Sequence, residues 1–375
     1  MSPSLARTSS RTVDVDIAVV GGGPAGAAAA LTLAREGAGV LLIEGGLYRR
    51  PRLGETLAPA GRPVLSRLGL LEAATAASIP SFGNESAWGS PGLDSLAFVF
   101  NPHGAGWHLD RPRFDQLLAE AAVAAGARWA SGTRVAGCKP GPNGTWRIAV
   151  DRDGGTGAMT ARGVIDTTGR RATLARSVGA RRVVQDRLVG LAVLFHGDPV
   201  TGGPTRVEAA PEGWWYSAPL PPDRFMVMLM TDADLCRACG LTGAAAWHAA
   251  LAQTVHTRER SSGVQPLWGR PRLASAASHR LVRDTGKGRW LAAGDAAMAA
   301  DPLAGDGILR ALVTGEAAGL AMIQWLDGRP EAAHAYEHWL DDRFARYLAK
   351  RSGYYAVETR WPAAPFWRRR HRPAA

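Results

Sequence analysis

Cysteine is nearly absent from this sequence: Cys138, Cys236 and Cys239 are the only three in 375 residues. Three thiols cannot build a disulfide framework. Cys236-Arg-Ala-Cys239 has the spacing of a metal or redox pair, but no second Cys/His pair lies at suitable spacing. The stretch from Asp234 to Gly240 is helix-like, where residues three apart share a face, so the pair reads as structural and no metal site is expected. Lysine is equally scarce (Lys139, Lys287 and Lys350), so a formal charge of +11 rests almost wholly on arginine. A basic surface steers acidic partners, although arginine preference in an alanine-rich chain explains the same balance. The densest patch, Arg368-Arg369-Arg370-His371-Arg372, reads as a solvated end, because no nucleic-acid-binding signature accompanies it. No apolar run approaches the roughly 20 residues of a membrane span. Met1 to Arg11 lacks the apolar core of a secretory signal. The expectation is a cytoplasmic protein with neither membrane nor nucleic acid as a partner.

What is present is a globular composition, 46% hydrophobic and 21% charged. Its length suits a cofactor domain carrying a second, substrate-covering one. Val13 to Val20 reads as a buried strand, followed by Gly21-Gly22-Gly23-Pro24-Ala25-Gly26 and an alanine-rich helix to about Arg35. Val40 to Glu44 is a second short apolar strand. Stretches 82–100 and 187–283 are rich in alternating β-type segments, such as Leu188 to His196 and Phe225 to Met230. Turns at Gly202-Gly203-Pro204 and Leu220-Pro221-Pro222-Asp223 punctuate them. Helical periodicity returns from Gly307 to about Gly328 and from Glu331 to about Ala349.

Gly21, Gly23 and Gly26 have the spacing that a dinucleotide pyrophosphate needs. The first permits a tight turn, the second lets backbone approach phosphate, and the third lets helix and strand pack closely; Ala25 sits on the same turn. The helix N-terminus then offers free N–H groups to the anion. Glu44, at the end of the next strand, is placed to hydrogen-bond ribose hydroxyls. Alone this pattern is weak; after a strand and opening a helix it points to a bound dinucleotide.

Further segments narrow the choice of dinucleotide. Arg111-Pro112-Arg113-Phe114-Asp115, Gly294-Asp295-Ala296-Ala297 and Asp301-Pro302-Leu303-Ala304-Gly305-Asp306-Gly307-Ile308 occur in this order. On these residues the chain resembles the FAD oxidoreductases that include aromatic hydroxylases, geranylgeranyl reductases and tryptophan halogenases. The resemblance implies that Asp295, after Gly294, binds the ribityl hydroxyls and that Arg111 lies near the flavin. It also implies that the loop carrying Pro302, Gly305, Gly307 and Ile308 faces the isoalloxazine, with Ala304 replacing the usual Ser. Val164 to Arg176 resembles the halogenase and reductase branches. It departs from the Asp-Gly motif of NADPH-binding hydroxylases, so the electron donor is NAD(P)H directly or through a separate flavin reductase.

Gly54-Glu55-Thr56-Leu57-Ala58-Pro59 resembles the Gly-Glu-Ser/Thr motif of halogenases, where it adjoins the flavin. Glu55 is a candidate acid/base or a gate on flavin movement; a helix-capping or ion-paired carboxylate reads equally well. Gly213 to Pro221 resembles the halogenase Trp-x-Trp-x-Ile-Pro signature, with Tyr216 for the second Trp. The halogenase lysine that follows the Gly-Glu-Ser segment is missing, since no lysine precedes Lys139, and halogenation is not expected. Trp88, Trp214 and Trp215 are expected to border the substrate cavity, and Trp215 joins Glu55 as a catalytic candidate. Trp247, Trp325 and Trp339 read as core, and His103 and His108 as structural.

The expected fold is α/β: a discontinuous Rossmann-like FAD-binding domain (13–81, 106–176 and 286–328), with an inserted mixed β-sheet substrate domain (82–105 and 177–285). A C-terminal helical segment and basic tail occupy 329–375. The activity implied is hydroxylation of an electron-rich aromatic, tryptophan or related, through a flavin C4a-hydroperoxide. The substrate is a small molecule, a peptide, a protein or a carrier-bound metabolite. Trp88-Gly89-Ser90 and the other motifs are also similar to flavoprotein maturases of tryptophan-derived quinone cofactors. Two alternatives stay open: a flavin-dependent reductase or dehydrogenase of C=C or C–C bonds in a secondary metabolite, and a flavin-bound maturation partner that does not turn over.

Overall fold

The computed structural model describes residues 14–152, 154–197, 203–283 and 288–371. The expected features at Met1 to Arg11, Val13, Gly202, Lys287 and Arg372 lie outside the described residues.

The chain is α/β, built on two large sheets. The first is seven-stranded. At its centre lies Val15–Val20, whose Ile17, Ala18 and Val19 are fully buried. It pairs in parallel with Val40–Glu44 on one side and with the second half of Gly155–Asp166 on the other. A parallel strand covered on both faces has no reason to alternate polar and apolar residues, hence the apolar run from Ile17 to Val20. Trp290–Ala292 adds a further parallel strand beside Gly155–Asp166. Three separated stretches thereby end at one edge: Val20, Asp166 and Ala292.

Helix Pro24–Arg35 starts with proline at its first turn, where the missing N–H costs nothing. Its alanine face packs against helix Gly307–Leu326. A Cβ at Gly315 would lie 2.1 Å from the Ala25 carbonyl oxygen, and one at Gly319 would lie 3.2 Å from that of Ala29. Small residues on both sides let the backbones touch, which holds the start of the second helix beside the phosphate turn.

The second sheet has eight strands, drawn from 83–97 and 188–275. Its centre is three antiparallel strands: Leu188–His196, Arg224–Asp232 and Gly213–Leu220. Side chains on a strand alternate between faces. Trp214 and Tyr216 therefore share one face with Met226, Met228 and Met230, and Trp215 points to the other, against Trp247 at 5.2 Å between ring centroids. Trp247 is fully buried, as core. Trp325 and Trp339 are only partly buried, beneath the guanidiniums of Arg283 and Arg343. A small sheet joins Arg181–Val184 and His279–Val282 to Met298–Ala299, and so straddles residue 286, the boundary expected between the two domains.

The C-terminal helix is longer than its periodicity indicates, Glu331–Val357, and is followed by a short helix, Pro365–Arg370. The described part of the basic tail, up to His371, is docked on the protein rather than free in solvent. Phe366 and Trp367 are fully buried beneath the second sheet, and the Trp367 indole N–H donates to the Ala210 carbonyl at 2.8 Å. Arg369 and Arg370 reach Asp232 at 2.7 and 2.9 Å. The opposite charge of Asp232, the last residue of strand Arg224–Asp232, and the apolar anchors just before the arginines explain the docking. The cysteine pair likewise differs from expectation: helix Ala233–Ala238 stops before Cys239, leaving Cys236 buried and Cys239 exposed. Among the described residues no cluster of His, Cys, Asp or Glu could hold a metal ion, and no helix is long and apolar enough to cross a membrane.

Because Trp367 is a fully buried anchor, Trp367→Ala should destabilise the fold by about 3–5 kcal/mol. Arg368→Ala, at an exposed position, should change stability by no more than about 0.5 kcal/mol. Chemical denaturation of the two variants checks both.

Candidate functional site

A cleft of about 980 Å³ runs between the two sheets. The carboxyl ends of the parallel strands form one wall, which is where open parallel sheets bind ligands. Gly21, Gly23, Ala25, Glu44, Glu55, Arg111, Gly294, Asp295, Pro302, Gly305, Gly307 and Ile308 all line it.

The phosphate turn is shaped by close approach. Gly21 has φ +111°, and a Cβ at Gly26 would lie 1.7 Å from the Gly21 carbonyl oxygen. Gly26 itself does not line the cleft; it lets the helix sit on the turn. Gly23 is different. A Cβ there would meet nothing nearer than Arg52 Nη1 at 3.9 Å, so this backbone faces open space.

Glu44 accepts from the backbone N–H groups of Gly22 and Gly46, each at 2.7 Å, and from Arg52 at 3.0 Å. With about four lone-pair sites on a carboxylate, one remains for a ribose hydroxyl. Arg52 continues to Asp115 at 3.0 Å, and Asp115, fully buried, holds Arg111 at 3.0 Å. Arg111 also donates to the carbonyls of Leu53 and Gly54. Its charge is spent on fixing the loop that presents Glu55.

On the opposite side Asp295 faces Arg170 at 3.3 Å and Arg310 at 3.5 Å. Arg170 donates to the carbonyls of Ala277 and Ala300, at 2.6 and 2.7 Å, tying the strand-end turn to the segments that follow strands Arg272–Ser275 and Met298–Ala299. The following loop hangs on Asp301. Its buried carboxylate accepts from Leu303 N at 3.0 Å and from the Tyr355 hydroxyl at 2.7 Å. Gly305 then adopts φ +64° and helix Gly307–Leu326 begins.

Glu55 lines the cleft wall. Its Oε2 accepts from Gly54 N at 3.0 Å, and its Oε1 is buried with no hydrogen-bond partner. Burial raises its pKa to about 7, against the pull of Arg111. Beside it Tyr216, Met228 and Met230 bring the second sheet to the cleft.

Trp215 does not reach this site. The two-residue period of its strand turns it into the core beyond the sheet, so it cannot touch a ligand in the cleft. Trp214 donates to the Tyr355 hydroxyl at 3.0 Å and Trp88 to the Tyr354 carbonyl at 2.8 Å; both pack on the C-terminal helices. Tyr216, known from sequence only as a motif position, joins Arg52, Arg170 and Arg310 on the cleft wall. Strand alternation with Met228 and Met230 points to Tyr216, and the i,i+4 pairing of Asp306 with Arg310 points to Arg310. Arg52 and Arg170 carry no comparable signal, because each acts across long separations.

The arrangement fits a flavin dinucleotide: open backbone at Gly23, a carboxylate at each end, and a glycine loop opening a helix between them. Gly23 is also the helix N-cap, with φ −78°. Gly23→Asp should therefore fold, since Asp is a favoured cap, yet turn a carboxylate into the open space that a pyrophosphate would need. Gly26→Val should fail to fold, driving side-chain atoms into the Gly21 carbonyl. Thermal melting, with flavin absorbance of the purified proteins, separates the two.

A family model described as an FAD binding domain matches residues 14–338. The putative FAD-dependent oxidoreductase LodB of Marinomonas mediterranea is 30% identical over 365 residues, covering 95% of this chain and 96% of that protein. Among solved structures, the myxobacterial chondrochloren halogenase CndH superposes with a TM-score of 0.88 at 22% identity, over 96% of this chain and 86% of that one, a likeness of fold. The peptidyl tryptophan dihydroxylase QhpG, essential for tryptophylquinone cofactor biogenesis, gives 0.76 at 26% identity, over 96% and 79%. The cleft and these likenesses agree: the chain is an FAD-dependent oxidoreductase and belongs to the FAD-binding-domain family.

Proposed function

We propose that this oxidoreductase is a monooxygenase that hydroxylates an electron-rich aromatic ring, tryptophan or a close relative, within a protein, a peptide or a carrier-bound metabolite. When bound, reduced FAD supplies the oxygen-activating chemistry. The chain orients the ring, excludes water and delivers a proton. Electrons come from NAD(P)H, directly or through a separate flavin reductase.

One observation carries the proposal. Glu55 is buried on the cleft wall with an unpartnered oxygen, and its carboxyl is held at about 7. A proton donor works best when its pKa lies near the operating pH. The wall beside it, Met228, Met230, Ala274 and Ala276, is apolar and keeps water away from the reacting ring. Among the described residues no lysine lines the cleft, which favours oxygenation over relay of a halogenating species by an amine. The likeness to a peptidyl tryptophan dihydroxylase supports an aromatic substrate.

The test supplies the protein with reduced FAD and a tryptophan-containing peptide. Oxygen uptake should rise with peptide, and the product should carry one oxygen atom from isotopically labelled dioxygen. A peptide that returns unchanged in air, or product formed only under anaerobic conditions, overturns the proposal.

Glu55 also sets a pH dependence. Below about 7 it is protonated in the folded protein, so turnover should fall as pH rises through that value. Glu55→Gln should flatten the profile and lower the rate by about 10²–10⁴-fold. Stability follows the same group. The folded state keeps this proton up to about 7 and the unfolded chain releases it near 4.5. The contribution is thus complete below 4.5 and lost as pH rises to about 7. Above that range Glu55→Gln should be the more stable form, by on the order of 3 kcal/mol. Denaturation across the range measures it.

A further inference from the structure

Tyr216 faces the cleft with its hydroxyl already engaged. The oxygen lies 2.8 Å from Thr56 Oγ1, which lies 3.3 Å from His108 Nδ1. The other ring nitrogen, His108 Nε2, is 3.0 Å from the Gly203 carbonyl oxygen. Thr56 and Tyr216 both line the cleft, and His108 is fully buried behind them.

This chain of hydrogen bonds has only one fully satisfied direction. A carbonyl oxygen only accepts, so Nε2 carries the ring proton and donates. Burial holds the ring's pKa down to about 4, so the ring is neutral and Nδ1 is a bare lone pair. Thr56 has one hydrogen. Unless it points at Nδ1, a buried acceptor goes unmade, which is costlier than any alternative pairing gains. Thr56 Oγ1 is then an acceptor toward Tyr216, and the Tyr216 hydrogen is committed to it. Thr205 Oγ1, at 3.3 Å, fits as a second donor to the same oxygen. What Tyr216 turns toward the cleft is a lone pair. Glu55 places its unpartnered oxygen on the same wall.

We infer that Tyr216 determines specificity by accepting a hydrogen bond from an N–H or O–H on the edge of the aromatic substrate, with Thr56 and His108 as positioning residues that keep it an acceptor. This rests on the proposal that the cleft takes an aromatic ring, and it adds which rings: those with a donor on the edge, such as indoles and phenols. A ring offering only an acceptor meets lone pair against lone pair.

Indole and benzofuran are the probes, alike in size and shape and differing in a ring N–H against a ring oxygen. Their binding to the oxidised holoenzyme is read from the perturbed flavin absorbance. Indole should bind about three- to tenfold more tightly than benzofuran. Tyr216→Phe should erase the difference. Thr56→Val keeps the tyrosine but removes its acceptor, freeing the hydroxyl hydrogen for the cleft, so the preference should vanish or reverse. A residue that only props the wall would weaken both probes equally and leave their ratio unchanged. Retained flavin and an unaltered melting profile confirm that each variant is folded. Equal affinity of the two probes for the parent protein, no binding of either, or a preference that survives both substitutions overturns the inference. The measurement needs no turnover. A protein that discriminates the probes but never oxygenates peptide loses the monooxygenase proposal and keeps this one. One that oxygenates without discriminating does the reverse.

Discussion

The site depends on a backbone contact between two helices. Where Gly315 meets the Ala25 carbonyl, helix Gly307–Leu326 lies directly on helix Pro24–Arg35, with Gly319 repeating the contact a turn later. No side chain fits between them. This contact brings the loop at 301–306 opposite the phosphate turn, although nearly three hundred residues of chain separate them. Polar groups then act within a frame that packing has already set. The pair of Arg170 and Arg310 about Asp295, and the run from Glu44 through Arg52 and Asp115 to Arg111, join stretches that the helices have drawn close.

A division of labour follows between the two walls. The wall from the parallel sheet is rich in backbone N–H groups and carboxylates, suited to a polar, phosphorylated ligand. The wall from the antiparallel sheet presents Met228, Met230 and Tyr216, suited to a flat apolar ring with one polar edge. Glu55 stands at their junction. Its pKa is raised because the apolar wall strips it of water while Arg111, nearby, is already committed to Asp115 and two carbonyls.

How much could be read from the chain follows the range of each signal. The phosphate turn was legible because its glycines meet steric demands within a few residues, and the two strands around it because burial on both faces leaves an apolar run. Glu44 was legible through its place at a strand end, and Asp295 through the Gly294-Asp295 motif that carries the family resemblance. Trp215 misled because a tryptophan count says nothing about which face of a strand a side chain occupies; the alternation through Trp214 and Tyr216 does. Arg369 and Arg370 misled for another reason. A run of arginine looks solvated until the acidic residue that meets it, Asp232, is brought from well over a hundred positions away. Arg52 and Arg170 were silent on the same ground.

Asp301 has a consequence for how the cleft comes into being. Its loop is held by Tyr355, whose ring in turn packs at steep angles against Trp88 and Trp367. The glycine turn at 21–26 thus lies more than three hundred residues upstream of the brace for the loop facing it. Strand, helix and strand at 15–44 can pair locally, but the facing loop is held only once the aromatic cluster around residue 355 has closed. The two rims of the cleft are therefore coupled through packing that no ligand touches.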